Sequence, residues 1–210
     1  MSLDIASRTR PCFGRDDAPP SFARPRLRRC CGARPERESD VARPDVTIRR
    51  ATIDDAAGIN AVYNPYILET AATFETTPID EASRRRWIET RLANPRHPVF
   101  VADGREGIAG FANAAPFDER QAYETSVKVS VFLAPDAKGK GVGAGLYEAL
   151  FGALNRVDVH RAYALIVAPN PASVALHERF GFRQVSTLDE VGRKFGRYYS
   201  VMWFEKRFEA

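Results

Sequence analysis

Lys138-Gly139-Lys140-Gly141-Val142-Gly143-Ala144 decides how this chain is read. It follows an alternating, β-branched stretch, Ser126–Leu133, and opens an apolar-periodic stretch that predicts a helix over about Val142–Arg156. A basic, glycine-rich turn between a strand and a helix can aim several backbone N–H groups at one point. Glycine allows positive φ and close approach of an anion, and the helix adds the positive end of its dipole. The natural ligand of such a turn is a phosphate or pyrophosphate; the bland alternative is a turn that only caps the helix. No Ser or Thr follows the lysines as a P-loop requires. The turn also comes too late in its domain for the dinucleotide fingerprint, which follows the first strand of a βαβ unit.

Outward from this turn, 210 residues suffice for one domain with a proper core. Residues 1–45 differ from the rest: ten Arg and no Lys stand against seven acidic residues, a net of +3 that supplies most of the chain's +4. They carry several Pro and no apolar period, so they read as a disordered N-terminal extension, and 46–208 as the folded domain. Asp4, Asp16 and Asp17 argue against a transit peptide. They also dilute any basic patch for nucleic acid, and the folded domain is nearly neutral, so no polyanionic partner is expected. Cys12, Cys30 and Cys31 all lie in the extension, which leaves the domain without disulfide, thiol nucleophile or Cys-based metal site; no metal is expected. No apolar run reaches 18 residues and no secretory signal is evident, so the expectation is a cytoplasmic protein without a membrane span.

Along the domain, Val46–Arg50 reads as a strand. Asp54 caps a helix to about Leu68 that Pro65 should bend or end. Thr77-Pro78 starts a second helix, to about Ala93, with Trp87, Ile88 and Leu92 as its apolar stripe. Pro98–Ala102 and Ile108–Ala115 form a hairpin, and Glu124–Leu133 feeds the glycine turn. Arg161–Val167 is a strand and Ala172–Arg179 a short helix closed by Gly181. Phe182–Leu188 and Tyr198–Phe208 are the last strands. The order β-α-α-β-β-β-α-β-α-β-β predicts an α/β (α+β) fold with a mixed sheet of six to seven strands and about four helices.

An anion held at the turn leaves the ligand's organic arm to run between Ser126–Leu133 and the next parallel strand. If these strands splay, unpaired backbone at Val131 and Leu133 can pair with an amide-bearing arm. Asn170 sits at the carboxyl end of the second strand, where α/β ligands collect, and serves either as a ligand contact or as a helix cap.

Two motifs then act together. Lys138-x-x-Gly141-x-Gly143 resembles the acetyl-CoA pyrophosphate loop of the GNAT N-acetyltransferases. Asn170-x-x-Ser173-x-x-x-His177-x-x-x-Gly181-Phe182 resembles that fold's fourth helix, where Tyr or His stands at position 177. Ile48-Arg49-x-Ala51-x-x-x-Asp55, Tyr63-Asn64, Thr73-Phe74-Glu75, Pro116-Phe117-x-x-Arg120-x-Ala122-Tyr123 and Gly192-x-Lys194-Phe195-Gly196-Arg197 narrow the resemblance. They point to the branch acetylating phosphinothricin, methionine sulfoximine and methionine sulfone, over 46–208.

The resemblance implies direct acetyl transfer from acetyl-CoA, as co-substrate, to the primary amine of a small amino acid analogue. It implies a cofactor site of Val131, Phe132, Leu133, Lys138, Gly139, Lys140, Gly141, Val142, Gly143, Asn170 and Ser173. The N–H near Val131 or Phe132 would hold the oxyanion, and His177 would serve as acid or water organiser. Phe74, Glu75 and Arg120 would line the acceptor, Arg120 through paired donors to a carboxylate. A homodimer is implied as well.

This sequence departs from the branch at the base. Relatives read Thr-Val-Glu-x-Ser-Val-Tyr; here Ser126-Val127-Lys128-Val129-Ser130-Val131-Phe132 places Lys128 at the carboxylate position. A lysine at its reference pKa of about 10.4 accepts no proton. Glu75 or Glu124 could act through water, although Glu124 lies about 13 Å along the strand. Alternatively Lys128 binds an anionic group of a different substrate, or the protein binds acetyl-CoA and transfers slowly. Tyr198-Tyr199-Ser200, in place of Trp-x-Asp, is a second departure on the acceptor side.

Overall fold

The computed structural model describes residues 45–208; the expected disorder of the N-terminal extension lies outside them, apart from Asp45. Seven strands form one sheet: β1 (Val46–Arg50), β2 (Val99–Gly104), β3 (Gly107–Pro116), β4 (Ser126–Leu133), β5 (Arg161–Val167), β6 (Arg183–Lys194) and β7 (Arg197–Arg207). Their order is β1-β2-β3-β4-β5-β7-β6. β4 and β5 are its parallel pair, and the other neighbours run antiparallel. Four helices cover it: α1 (Ala56–Glu69), α2 (Glu81–Leu92), α3 (Val142–Leu154) and α4 (Pro171–Arg179).

Patterning assigns the layers. In α3, Val142, Leu146, Tyr147, Leu150, Phe151 and Leu154 are buried, a 3.6-residue stripe. It packs on alternate β4 residues, Val127 and Val129, and on Ala162, Ala164 and Ile166 of β5. On the opposite face, Ile59 and Val62 of α1 and Ile88 of α2 cover Val99, Val101 and Phe111. Each such aliphatic side chain contributes about 1.5–3 kcal/mol. Ser126, Lys128, Ser130 and Phe132 therefore point away from α3, and of these Phe132 packs under Tyr63 and Tyr66 of α1.

Several local expectations are corrected. Asp54 does not cap α1. A 3-10 turn, Ile53–Asp55, precedes the helix, and the Asp55 carboxylate accepts from the Thr52 N–H at 2.7 Å. Pro65 lies inside α1 without ending it. Pro65 and Ala61, whose carbonyl loses its partner, are both exposed, while Val62 and Ile67 on the other side are buried. Tyr66 pins the last turn by donating its hydroxyl to the Leu133 carbonyl at 2.7 Å. α2 starts at Glu81, capped by Asp80, whose carboxylate accepts from Ser83 N–H at 2.8 Å. Thr77-Pro78 stay outside because Asn64 holds both backbone groups of Ile79. Leu92 is exposed, and Arg84 takes its place in the packed face, its guanidinium between Tyr63 and Trp87. β4 begins at Ser126 after a 3-10 turn, Gln121–Tyr123. β6 extends past Leu188 to Lys194, carried by pairing with Tyr198 and Tyr199 of β7.

Candidate active site

β4 and β5 pair only at Ser126–Arg161, Val127–Ala162 and Lys128–Tyr163. Beyond Lys128 they part, while β4 stays paired to β3 through Leu133. The β5-facing edge of Val129–Leu133 is therefore free of strand pairing, and unpaired backbone groups need a partner. This is the opening expected for an amide-bearing arm. It is bounded on the α3 side by Gly143, where a Cβ would sit 3.3 Å from Leu133 and 3.5 Å from Leu176.

The glycine turn stands beside it. Gly139 and Gly141 adopt φ of +73° and +80°, and Gly141 is the left-handed N-cap of α3. The first bond of the helix runs from Gly145 N–H to Gly141 O at 3.1 Å, so the preceding N–H groups of the turn have no helical acceptor. The Lys138 ammonium lies 5.1 Å over the Tyr66 ring. Asn170 caps α4, accepting from Ser173 N–H at 3.1 Å; the capping alternative is realised, with the Asn170 amide nitrogen left over.

His177 is 3% exposed. Its Nδ1–H donates to the Ser173 carbonyl at 2.7 Å, which leaves Nε2 to accept from the Tyr147 hydroxyl at 2.8 Å. Both ring nitrogens are thus spent inside the fold, between Tyr147, Phe182 and Phe204. The acid or water-organising role expected for His177 has no free nitrogen here; the residue ties α4 to α3. Burial pushes its pKa below the usual histidine value, and burial does the same to His97. Both are then neutral in the native state but protonate in the unfolded chain below about pH 6.5, so stability falls as pH drops through that value. The urea midpoint should decline between pH 7.5 and 5.5. His97→Gln should remove part of the slope and leave the share of His177; a flat profile in the unmodified protein would refute the assignment.

Of the residues expected on the acceptor side, Lys128 is half-buried and, among the described residues, its side chain forms no ion pair or hydrogen bond. Arg120 is not the free fork expected: its Nε and Nη2 donate to the two oxygens of Asp118 at 2.8 and 3.1 Å, and it stacks over Tyr123. That guanidinium holds the Asp118 carboxyl down at about 2, with a smaller contribution from the charge of Lys128. Phe74 packs on Gly192, where a Cβ would lie 2.2 Å from its ring, and near Tyr199. Glu75 is exposed on the same loop. Glu124 is taken by Arg96 at 3.7 Å, away from Lys128.

Three contributors had no sequence signal of their role. Tyr66 links α1 to the end of β4 and to Lys138 across 67 residues or more. Asp118, between Phe117 and Arg120, carries no motif of its own yet holds the Arg120 guanidinium. Lys194, named only within a motif, is buried; its Nζ donates to the Thr73 carbonyl at 2.8 Å and holds the Phe74–Glu75 loop. It also lines a cavity of about 430 Å³ with Ile67, Leu68 and Phe195, apart from the β4–β5 opening. Among the described residues no group of three His, Cys, Asp or Glu could hold a metal, and no helix is long and apolar enough to cross a membrane.

Residues 48–203 match the acetyltransferase (GNAT) domain family. Phosphinothricin N-acetyltransferase of Streptomyces coelicolor is 44% identical over 164 residues, covering 77% of this chain and 96% of that protein. L-methionine sulfoximine/L-methionine sulfone acetyltransferase of Pseudomonas aeruginosa is 34% identical, covering 76% and 92%. The crystal structure of a phosphinothricin acetyltransferase from Sinorhizobium meliloti in complex with acetyl-CoA superposes with a TM-score of 0.73 at 31% identity, covering 78% of this chain and 88% of that one. With the parted strands and the glycine turn at the head of α3, these matches over three quarters of the chain show that it belongs to the GNAT family of N-acetyltransferases.

Proposed function

We propose that the chain moves the acetyl group of acetyl-CoA directly onto the primary amine of a small amino acid analogue of the phosphinothricin or methionine sulfoximine type. The observation that carries this is the end of β4–β5 pairing at Lys128–Tyr163, which leaves the rest of β4, Val129–Leu133, with a free edge leading to the glycine turn. The free edge of Val131, Phe132 and Leu133 would take the pantetheine amides. Lys138, Gly139, Lys140, Gly141, Val142 and Gly143 would receive the pyrophosphate, with Asn170 and Ser173 at the start of α4 on the other wall. The backbone N–H of Val131 would meet the oxyanion that forms as the amine nitrogen adds to the thioester carbonyl; the alternative, Phe132 N–H, faces β3, where Phe132 pairs with Phe111. Collapse expels the thiolate, and the ammonium proton must leave before attack. Phe74, Glu75 and Arg120 would bound the acceptor. The phosphinothricin and methionine sulfoximine/sulfone acetyltransferases among its relatives support this reading.

Lys128 favours one alternative. With no carboxylate at its position and Asp118 already committed to Arg120, the protein could bind acetyl-CoA and transfer slowly. Thiol release from acetyl-CoA decides between them, measured with phosphinothricin, methionine sulfoximine, methionine sulfone and simple amines. Turnover on an amino acid analogue supports the first reading. Tight acetyl-CoA binding without turnover, and activity gained by Lys128→Glu, supports the second. We further infer a homodimer and a cytoplasmic setting. The exposed apolar side chains Val185, Leu188, Val191 and Tyr198 at the β6–β7 edge support the dimer, and sedimentation velocity tests it.

A further inference from the structure

We propose that Lys128 makes this enzyme select acceptors bearing a second anionic group on the side chain, a phosphinate, phosphonate or carboxylate, over neutral isosteres. The proposal rests on the acetyl-transfer reading above and names the substrate class of that site.

Placement is the first support. Val127 and Val129 are packed against α3, so strand alternation sends the Lys128 side chain to the other face. There α1 and α2 cover β2 and β3 but leave Leu165 of β5 exposed. Lys128 is the last β4 residue paired to β5, opposite Tyr163, at the mouth of the opening. Val131 lies three residues, about 10 Å, further along the strand. The lysine side chain and an extended γ-substituted amino acid together bridge that span, with the amine toward Val131 and the side-chain anion toward Lys128.

Charge is the second. Among the described residues Lys128 has no ion-pair partner, and the carboxylate nearest in effect, Asp118, is held by both Arg120 side-chain donors and by the Arg120 N–H at 3.0 Å. Asp118, Arg120 and Lys128 together therefore leave one uncompensated positive charge on this wall. The third support is the surroundings. Phe117 packs on Tyr163 at 4.8 Å, on Tyr123 at 5.3 Å and on Trp203 at 6.1 Å between ring centroids. An aromatic wall lowers the local dielectric and strengthens a charge–charge contact relative to water. A charge-assisted hydrogen bond to the lysine favours the anionic acceptor by about 10- to 100-fold.

Phosphinothricin and methionine sulfone test this directly. Their side chains end in a methylphosphinate and a methylsulfone, alike in shape and different by one negative charge. Calorimetric titration of each into the full-length protein saturated with CoA requires no catalysis. The expected result is binding of phosphinothricin at least about 10-fold tighter than the sulfone, as a charge-assisted hydrogen bond implies. The preference should collapse in Lys128→Met and invert in Lys128→Glu, with acetyl-CoA affinity unchanged as the check on folding. An equal affinity for the two ligands, no binding of either, or a preference retained in Lys128→Met overturns the proposal. Thiol release reports on the underlying reading separately: a binding preference without turnover sinks acetyl transfer alone, and turnover without preference sinks the role of Lys128 alone.

Discussion

Gly141→Val is expected to raise the KM for acetyl-CoA about 100-fold, equivalent to about 2.7 kcal/mol. The reason is conformation rather than space. Gly141 adopts φ +80°, and a Cβ built on it meets nothing within 4 Å. An L-residue in the left-handed region costs about 1–2 kcal/mol, more when β-branched. The chain can escape that cost only by rotating the turn, which misdirects the N–H groups at the head of α3 proposed to hold the pyrophosphate. Gly152→Ala, in the same helix at an exposed position without close neighbours, is the control; it should leave KM unchanged and stabilise the protein by about 0.5–1 kcal/mol. Initial rates of thiol release against acetyl-CoA concentration, with circular dichroism to confirm folding, make the measurement. An unaltered KM in Gly141→Val removes the turn from the cofactor site.

Tyr147→Ala is expected to cost about 4 kcal/mol of stability, or about 10 °C in Tm for a domain of this size. Tyr147 is fully buried, packs on Phe151, His177 and Phe180, and satisfies His177 Nε2. Tyr147→Phe keeps the packing and removes only that donor, so it should cost about 1–3 kcal/mol through the unsatisfied imidazole nitrogen. Urea denaturation of both variants distinguishes this structural role of His177 from a catalytic one. A Tyr147→Phe protein of unchanged stability that lost all turnover would return His177 to the chemistry.

Much of the fold was legible because it is periodic. The alternation in Ser126–Leu133 and the 3.6-residue stripe of Val142–Leu154 set both elements and the layer they share. The glycines of the turn between them announced positive φ at Gly139 and Gly141. Capping was less legible, because short polar side chains such as Thr77 and Asp54 look like caps until tertiary contacts choose. Asn64 takes the backbone of Ile79 and leaves Asp80 to start α2. Pro65 misled for the converse reason: its lost hydrogen bond falls on the solvent side, while Tyr66 anchors the turn from the other.

The site divides in the same way. Sequence by itself determined that a basic, glycine-rich turn joins a β-strand to a helix and that Asn170 opens the next helix; that Lys128 takes a carboxylate's position is what the resemblance implies. The first two are local facts of residue type and spacing. Only the tertiary structure decided that β4 and β5 part immediately beyond Lys128, and that His177 spends both nitrogens inside the core. It also decided that Arg120 turns its fork onto Asp118, and that Lys194 and Tyr66 fasten the Phe74–Glu75 loop and the end of β4 from distant parts of the chain. The Arg120–Asp118 pair is local and exposed, two residues apart; the contacts of His177, Lys194 and Tyr66 depend on which group reaches a buried or half-buried donor or acceptor, and packing between segments far apart in sequence settles that competition.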